Sequence, residues 1–528
     1  MSRAVPVGDL AVVALVKAAL SVAVLAGGFV ALSDDDFSRI VIGEQFAHAP
    51  SLDPSGTSWL PLPFWLLGTA MAVFGRTLAT AHATAVLSGV LSALLVHRAA
   101  RWLRVSRAGS VLAAIVASSI LTAAKLGASV QPEALTAGLV TLGAASTRVD
   151  GSRRTWGAVA LFAACLCRYE TWAAAAMFAL LTSYDAFHVG RPRRPREVLT
   201  SGFAPLDTER RYGESEPPGP LELKEAAAAD ATVAGVRRKR LGLLAVAALP
   251  LLAPLAWIVH GVISHHDALF FLHRVAAYRR ALGVTEPVGR SLLAYPALLF
   301  RVEPEVTLSA ILVLRIAADR APRALSRLVR PALVVLAMLV FLVVGRALDG
   351  APTHHAARTL LPLWTLCALL VSEAIVRTLS PVRGEFRSDA VGRLAPFAVA
   401  VALVSVLLRT GRVPESDASR TAECAIGLAA RERVGPDERV LVDTADYGYF
   451  AVIAAFGAPE RATPVERHDP RDPHVGAPFE TADTAAALFA AAGATWGVLR
   501  VDHAAVISRS GTVEARSGDF SLVHLTLR

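Results

Sequence analysis

Three consecutive carboxylates follow directly after the first long apolar segment of the chain, in the stretch SDDDFSRIVIGEQFAH. Asp34, Asp35 and Asp36 repel one another, which predicts that the pKa of at least one of them is raised. Arg39 stands one helical turn after Asp35 and Asp36, so its guanidinium can hold another carboxylate ionised. A carboxylate in this position suits a general base that takes a proton from a hydroxyl group. The alternative is a solvated acidic loop that caps a helix N-terminus.

Two later motifs place ionisable residues at the ends of apolar segments. QPEAL puts Glu133 at the start of an apolar run, where a carboxylate is typical both of a polar substrate site and of an ordinary helix start. CRYETW interrupts a long apolar stretch with Arg168 and Glu170. These two side chains form either a substrate contact or a purely structural ion pair.

The basic residues best suited to a phosphate come from the last part of the apolar region. THHAARTLLPLW contains His354, His355 and Arg358, whose positive charge would stabilise a departing phosphate. The segment HHDALFFLHRVAAYRR, from His265 to Arg280, is also basic. It is equally typical of an amphipathic surface helix that touches lipid headgroups.

The composition indicates a membrane protein. Of the 528 residues, 54% are hydrophobic and only 18% are charged, which is below the roughly 25% of soluble domains. The net charge of +9 comes from short basic clusters between apolar segments, so it predicts topology and not nucleic-acid binding. The four cysteines lack the spacing of a zinc site or a disulfide framework. The absence of Asn and the presence of only four Lys are typical of GC-rich bacterial coding.

The apolar segments predict about eleven crossings of the bilayer, beginning with a retained signal anchor. If the N-terminus is cytoplasmic, the Arg clusters all fall on the cytoplasmic side, as the positive-inside rule requires. The acidic triplet, Glu133, Arg168, Glu170 and Arg358 then lie on the outer side. The stretch WLPLPFWLLG is predicted to lie along the outer interface, because an additional crossing there would invert every later loop.

The chain divides into two predicted domains. Residues 1–409 form an all-α polytopic membrane domain, in which residues 187–240 are a flexible or loosely helical cytoplasmic loop. Residues 410–528 form a small periplasmic α/β domain, with a helix at AECAIGLAARERV and strands at RVLVD, TWGVLRV and FSLVHLTL.

The order of these motifs resembles the GT-C superfamily of membrane glycosyltransferases, especially the bacterial relatives of protein O-mannosyltransferases and aminoarabinose transferases. The resemblance runs from about residue 10 to residue 410. It rests on DDDFSR, WLPLPFWLLG, QPEAL, RYETW and HHAARTLLPLW. It implies transfer of a sugar, usually with inversion, from a polyprenyl-phosphate donor to a lipid, glycan or protein acceptor outside the cytoplasm of a bacterial inner membrane.

The resemblance also implies roles for individual residues. Asp35 or Asp36 would be the base, and Asp34 is a weaker candidate because a triplet stands where many relatives have an Asp–Glu pair. The other implied substrate-binding residues are Arg39, Arg168, His354, His355 and Arg358 around the donor, and Glu133 and Glu170 at sugar hydroxyls or beside those cations. No residue is assigned to a metal; a divalent cation is compatible with the acidic residues, although no spacing demands one.

Two other classes of function remain open. A transporter or flippase of lipid-linked glycans predicts paired broken helices with ionisable residues near the middle of the bilayer. A membrane-anchored binding or assembly protein that works through the C-terminal domain predicts that Asp35 and Asp36 are dispensable. The charges of this sequence collect at the outer ends of the apolar segments, which favours the enzyme. No nucleotide-binding or zinc-protease motif is present.

Overall fold

The computed structural model of the chain describes residues 7–189, 220–283, 287–320, 322–348, 355–379, 419–443, 446–466, 479–507 and 511–525. Within these ranges, five helices are long and apolar enough to cross a membrane. They are Val7–Ala26, Leu78–Trp102, Ala234–His265, Ser326–Ala347 and Ala356–Val376. The predicted polytopic, mostly helical architecture is therefore confirmed, whereas the count of eleven crossings stays a prediction.

The membrane part of the described ranges is built from sixteen helices. They are α1 (Val7–Ala26), α2 (Asp34–His48), α3 (Leu62–Phe74), α4 (Leu78–Trp102), α5 (Arg107–Ser119), α6 (Leu121–Leu126), α7 (Glu133–Ser146), α8 (Ser152–Cys165), α9 (Thr171–His188), α10 (Pro220–Ala248), α11 (Leu252–His265), α12 (Phe270–Ala281), α13 (Val288–Val302), α14 (Pro304–Arg320), α15 (Pro322–Ala347) and α16 (Leu361–Leu379). A 3-10 turn, Ala356–Leu360, precedes α16.

Local sequence signals explain where the site-bearing helices begin. The carboxylate of Asp36, in the first turn of α2, accepts hydrogen bonds from the backbone N–H groups of Leu32 and Ser33 at 3.1 and 3.2 Å. A carboxylate there satisfies donors that no helix carbonyl can reach. The helix α3 has 13 residues with Pro63 in its first turn, so it is about 20 Å long and shorter than a hydrocarbon core of about 30 Å.

The turn between α8 and α9 lies where the sequence predicts it, at Arg168, Tyr169 and Glu170. At the other end of α9, Asp185 pairs with Arg154 at 2.8 Å and with Arg330 at 2.7 Å. This helix therefore runs from the acidic and basic residues of the candidate site to a cluster of arginines. That these two ends lie at opposite membrane faces stays a prediction.

The C-terminal part contains a mixed five-stranded sheet of order β2-β1-β3-β5-β4. The strands β1 (Val440–Val442), β2 (Ala462–Pro464) and β3 (Trp496–Arg500) are parallel, and β4 (Gly511–Ser517) and β5 (Phe520–Leu525) are antiparallel to their neighbours. Four helices pack with the sheet: α17 (Thr421–Arg433), α18 (Tyr449–Phe456), α19 (Ala482–Ala492) and α20 (Val501–Ile507). The predicted small α/β domain is confirmed; β2, β4, α19 and α20 had no recognised sequence signal.

The C-terminal domain packs directly on the outer helices α2 and α3. Phe37, Ile40 and Met71 share one buried apolar cluster with Ala451 and Ala454 of α18. At the edge of this interface Arg76 donates two hydrogen bonds to the carboxylate of Glu460, at 2.8 and 3.0 Å. The first outer segment is thus held between the membrane helices and the C-terminal domain.

Two predicted features extend beyond the described residues. Of the predicted flexible loop at 187–240, residues 190–219 lie outside the described ranges, and the remainder is helical from Pro220 as part of α10. The predicted crossing near residues 394–409 and the boundary between residues 409 and 410 also lie outside them. The division at that boundary stays a prediction.

The membrane helices pack through small residues, because lipid offers no hydrophobic driving force for helix association. A Cβ added at Gly138 of α7 would lie 2.7 Å from Cα and 2.9 Å from the carbonyl oxygen of Ser92 in α4. That contact is with backbone and cannot be relieved by a rotamer change.

We therefore expect Gly138→Ala to destabilise the protein by about 1–3 kcal/mol through overpacking of α4 against α7. Thermal unfolding of the purified protein in detergent is the measurement. Gly242→Ala in α10 is the matched control, since an added Cβ there meets nothing within 4 Å. The control should be neutral or stabilising, because Ala favours helix. Equal melting temperatures for the two variants would show that the α4–α7 contact is not tight.

Candidate functional site

The three adjacent aspartates at the start of α2 have three different sets of partners. Asp34 pairs with Arg420 of the C-terminal domain, at 2.8 and 3.0 Å. Asp35 pairs with Arg358 in the 3-10 turn before α16, at 3.1 Å. Asp36 bonds to the segment that connects α6 and α7. Side chains of one type therefore have three different environments, which the sequence pattern alone did not separate.

Asp36 is held by donors on both of its carboxylate oxygens. One oxygen accepts from Ser129 Oγ and from the backbone N–H of Val130 at 2.9 Å, and the other accepts from Gln131 Nε2 at 3.1 Å as well as from the two backbone groups before α2. The residue is buried. Its lone pairs are occupied by structural hydrogen bonds. Asp36 is therefore better suited to connecting the start of α2 with the α6–α7 segment than to accepting a proton as a base.

Asp35 is the member of the triplet that combines ionisation with access. Its side chain is 40% exposed and contacts Arg358 through one oxygen. Burial raises the pKa of Asp35, but the charges of Arg358 and Arg39, with a smaller effect of His355, outweigh burial and lower the pKa below its usual range. The crowding of three carboxylates predicted a raised pKa for at least one of them, and Asp35 is not that one, because its pKa is lowered.

A continuous chain of ion pairs leads from Asp35 into the protein. Arg358 lies 3.2 Å from Glu133, Glu133 lies 2.9 Å from Arg168, and Arg168 lies 2.9 Å from Glu170. Arg358 and Glu133 are almost completely buried. The residues come from α2, the 3-10 turn, the start of α7 and the α8–α9 turn. Buried charges persist when each has an opposite partner, which this alternation provides.

Arg39 has partners other than the expected aspartates. Its Nε donates to Gln131 Oε1 at 3.1 Å, and its guanidinium lies 4.4 Å from the centre of the Trp59 ring. Gln131 in turn donates to Asp36, so Arg39 reaches Asp36 only through an amide. The predicted effect of Arg39 on a carboxylate of the triplet therefore does not need a direct bond to Asp36. Arg39 still lowers the pKa of Asp35, because its buried charge acts over a longer distance.

The two histidines before Arg358 differ in what the structure describes. His354 lies outside the described residues. His355 has a left-handed backbone (φ 51°) at the start of the 3-10 turn, and its charge contributes to the lowered pKa of Asp35. The structure thus brings Asp35, Glu133, Arg168, Glu170 and Arg358 into one group, with Arg39 and His355 beside it. Their catalytic and binding roles stay predictions.

An apolar cleft lies between α3, α4 and α7, next to residues that bond to Asp36 and Arg39. It encloses about 400 Å³ of empty space, including its open mouth. Its wall includes Pro63, Leu66 and Leu135, and its polar end includes Ser129 and Gln131. The cleft therefore joins an apolar, partly exposed surface to the residues that hold Asp36 and Arg39.

Sequence reasoning did not identify Arg420 or a second group of potential ligands. Asp53, His260 and His265 offer oxygen and nitrogen atoms that lie within 4.8 Å of one another. Asp53 Oδ2 is 3.3 Å from His260 Nε2 and 3.9 Å from His265 Nε2. Oδ1 of Asp53 instead accepts from the backbone N–H of Gly56 at 3.1 Å. No sequence pattern links this group, since Asp53 and His260 are 207 positions apart.

The chemistry of these three groups fits a divalent cation such as Zn²⁺. Two imidazoles and one carboxylate are common zinc ligands, and such ligand atoms lie about 3.3 Å apart around a tetrahedral ion. Nδ1 of His260 lies 3.2 Å from Ser264 Oγ, an outer contact that can fix the tautomer and leave Nε2 as the ligand atom. The sequence analysis assigned no residue to a metal, and the structure adds Asp53, His260 and His265 as a candidate group.

The fold of the whole chain is shared with known membrane glycosyltransferases. ArnT from Cupriavidus metallidurans bound to undecaprenyl phosphate matches with a TM-score of 0.54 at 14% identity, over 96% of this chain and 97% of that chain. Its apo form matches with a TM-score of 0.52 at 12% identity over the same shares. The chain has the GT-C fold. The resemblance inferred from the order of the motifs is thereby confirmed at the level of fold.

Other comparisons add less to this result. An oligosaccharyltransferase from Archaeoglobus fulgidus, in complex with Zn and sulfate, matches with a TM-score of 0.48 at 13% identity, over 93% of this chain and 68% of that chain. No protein-family model and no curated protein matches the sequence. The GT-C assignment therefore rests on the similarity to the two ArnT structures.

We expect the purified protein to bind about one Zn²⁺ through Asp53, His260 and His265. After equilibration with Zn²⁺ and desalting, elemental analysis should find the metal in the wild type. His260→Ala should weaken binding at least about tenfold, because loss of a ligand costs no less than loss of an outer contact. His266→Ala is the matched control, since this neighbouring histidine is not part of the group. Equal metal contents in both variants would contradict the assignment.

Proposed function

We propose that this GT-C-fold protein transfers a sugar from a polyprenyl-phosphate donor to a hydroxyl-bearing acceptor outside the cytoplasm, with Asp35 as the general base. The observation that most strongly supports this proposal is the position of Asp35. It is ionised and partly exposed at the start of α2, and it heads a chain of buried guanidinium and carboxylate groups. The ArnT structure with the same fold contains undecaprenyl phosphate, which supports a lipid-phosphate donor.

The ion-pair chain offers a way for a donor to activate the base. A phosphate that pairs with Arg358 would compete with Asp35 for the same guanidinium, which favours bidentate contacts with phosphate. Asp35 would then lose the cation that lowers its pKa and become more basic. The base would thus be strengthened only when the donor is bound, and Arg358 would neutralise the charge of the departing phosphate.

The acceptor hydroxyl would lose its proton to Asp35 as its oxygen attacks the sugar carbon from the side opposite the phosphate. The glycosidic bond forms while the bond between that carbon and the phosphate oxygen breaks. The phosphate keeps the electron pair. This single displacement inverts the configuration, and it needs no energy source besides the phosphoester. Glu133 and Glu170 keep Arg168 and Arg358 in position in this scheme.

The apolar cleft between α3, α4 and α7 suits the donor lipid. Its apolar wall and its polar end at Ser129 and Gln131 match a molecule with an isoprenoid tail and a charged head. Leu66 in the wall is 42% exposed on the outer surface of the helices, so the cleft is open to apolar surroundings. The tail would remain in the lipid while the phosphate reaches the ion-pair chain.

We further propose a bacterial inner-membrane location with the N-terminus in the cytoplasm and residues 410–528 in the periplasm. Arg154 and Arg330 gather at one end of α9, and the candidate site lies at its other end. Cytoplasmic loops carry such arginine excess, which puts the site on the outer face. Residues 1–409 would be the catalytic membrane domain. Lipids, a lipid-linked donor and a lipid, glycan or protein acceptor are the proposed partners.

A transporter or flippase is supported by one observation. Lys17 lies in the middle of α1, is buried, and donates to the carbonyl oxygen of Ala123 at 3.0 Å, next to the break between α5 and α6. Buried ionisable groups at broken helices are typical of transporters. A cation is, however, also favoured at the carboxyl end of a helix, where Ala123 and Gly127 lie. The enzyme therefore remains the better-supported proposal.

Asp35→Asn should lower the rate of sugar transfer by about 100-fold or more, because the amide cannot accept the acceptor proton. The assay measures release of undecaprenyl phosphate from a panel of undecaprenyl-phosphate hexoses and pentoses by the full-length protein in membrane vesicles. Glu432→Gln, an exposed carboxylate in α17, is the control and should keep the wild-type rate. Wild-type turnover by Asp35→Asn would exclude this base. Failure of the wild type to consume any of these donors would favour the transporter.

A further inference from the structure

Arg420, immediately before α17, makes the closest contact between the C-terminal domain and the aspartate triplet. Its Nε and one terminal nitrogen face the two oxygens of Asp34 at 2.8 and 3.0 Å, a forked arrangement with the geometric specificity of paired guanidinium and carboxylate planes. The same guanidinium contacts Asp446 at 2.8 Å and Glu423 at 3.0 Å. One cation thus serves three carboxylates.

The hydrogen bond with Asp34 raises the pKa of Arg420, and the bond with Asp446 adds to this effect. The Arg420 side chain is 19% exposed, so its charge is only partly screened by water. Within the described residues, Asp35 is surrounded by charges from every element that packs near it. They are Arg39 and Asp36 on its own helix, Arg358 and His355 at the 3-10 turn, Glu133 at the start of α7, and Asp34 with its partner Arg420.

We propose that Arg420 is a positioning residue for the reaction: by pairing with Asp34 it offsets the negative charge beside Asp35 and supports the contact of Asp35 with Arg358. This inference rests on the proposed function in so far as Asp35 is the base. It assigns a role in the membrane site to a residue of the C-terminal domain, 386 positions later in the chain. The C-terminal domain then affects the electrostatic surroundings of Asp35 and does not merely cover the site.

The reason is that Asp34 and Asp35 are adjacent in the chain at the start of α2. A second negative charge beside a carboxylate disfavours its ionised form, and the effect is large where burial reduces the local permittivity. With Arg420 in place, the charge of Asp34 is opposed at hydrogen-bond distance. If Arg420 were removed, its three carboxylate partners would lose this cation: Asp34, Glu423 and Asp446. Of these, Asp34 is the neighbour of Asp35 in the chain.

The test is a titration of Asp35 that does not depend on knowing the sugar. Carbodiimides modify protonated carboxyl groups, so the yield of modified Asp35 falls as this group ionises with rising pH. Peptide mass spectrometry with fragment ions distinguishes Asp35 from its two neighbours in the full-length protein. Arg420→Met should move the midpoint upward by about one pH unit, as expected for an uncompensated adjacent charge. Asp34→Asn in the Arg420→Met background should bring the midpoint back to within a few tenths of a unit of wild type.

The matched control breaks another ion pair of the same interface. Arg76→Met removes the ion pair between Arg76 and Glu460, whose length of 2.8 Å equals that of the ion pair between Arg420 and Asp34. The Arg76–Glu460 pair does not touch the triplet. This variant should leave the midpoint unchanged. An equal shift in Arg76→Met would mean that seating of the whole domain, and not Arg420, sets the titration. An unchanged midpoint in Arg420→Met, or a shift that Asp34→Asn does not reverse, would overturn the proposal.

Two further variants cover the case in which Arg420→Met does not fold. Arg420→Lys keeps the charge but loses the fork, so its shift should have the same sign and be smaller. Asp34→Asn alone should leave the midpoint at or below wild type, and a rise would contradict the inference. If Asp35→Asn were to transfer sugar normally while these shifts appeared, the base assignment would fail and the control of Asp35 by Arg420 would stand.

Discussion

The structure of the site depends on the requirement that each buried charge meets an opposite one. Arg358 and Glu133 are removed from water, and leaving either without a partner would cost about 3–5 kcal/mol. The alternating chain from Asp35 to Glu170 meets this requirement with residues from four separate segments. These ion pairs join the start of α2, the start of α7 and the α8–α9 turn to the 3-10 turn before α16.

The same requirement gives three identical side chains different chemical properties. Asp36 is surrounded by backbone and side-chain donors, Asp34 by a guanidinium from another domain, and Asp35 by a guanidinium on one side and open space on the other. Acid–base assignments follow from such differences in environment and not from residue type. Asp35 has the most exposed side chain of the three and contacts one guanidinium through a single oxygen, which is why the proposed mechanism assigns the proton transfer to it.

Sequence reasoning reached those features that depend on local patterns. The polar turn at Arg168 and Glu170 interrupts an apolar run, and the strands at Val440–Val442 and Trp496–Arg500 are short apolar runs between polar segments. The distribution of arginines among the loops predicted that Glu133 and Arg358 lie on the same side of the membrane. Hydropathy and charge distribution record all of these within a few residues of the chain.

The partners of individual side chains could not be obtained in this way. Asp34 and Arg420 are separated by 386 positions, and Asp53 and His260 by 207. No periodicity links residues across such distances, and the choice among three aspartates depends on angles between helices. Arg39 illustrates the limit: helical spacing placed it one turn from Asp35 and Asp36, but could not show that its side chain lies over Trp59 and bonds to Gln131. Spacing along a helix gives neighbours on one face only, whereas α2 is contacted on several sides.

The balance of charge in the ion-pair chain bears on how an anionic donor could be accommodated. Arg168 and Arg358 already face Glu133, Glu170 and Asp35, so a phosphate would not meet unoccupied cations. On the proposed function, it would exchange with a carboxylate, and Asp35 is the one that can leave, since it is the most exposed member and contacts Arg358 through a single oxygen. Glu133 and Glu170 are buried and would stay. Binding of the donor would then release the base at the position where the acceptor arrives, which couples the two substrates without any movement of the helices.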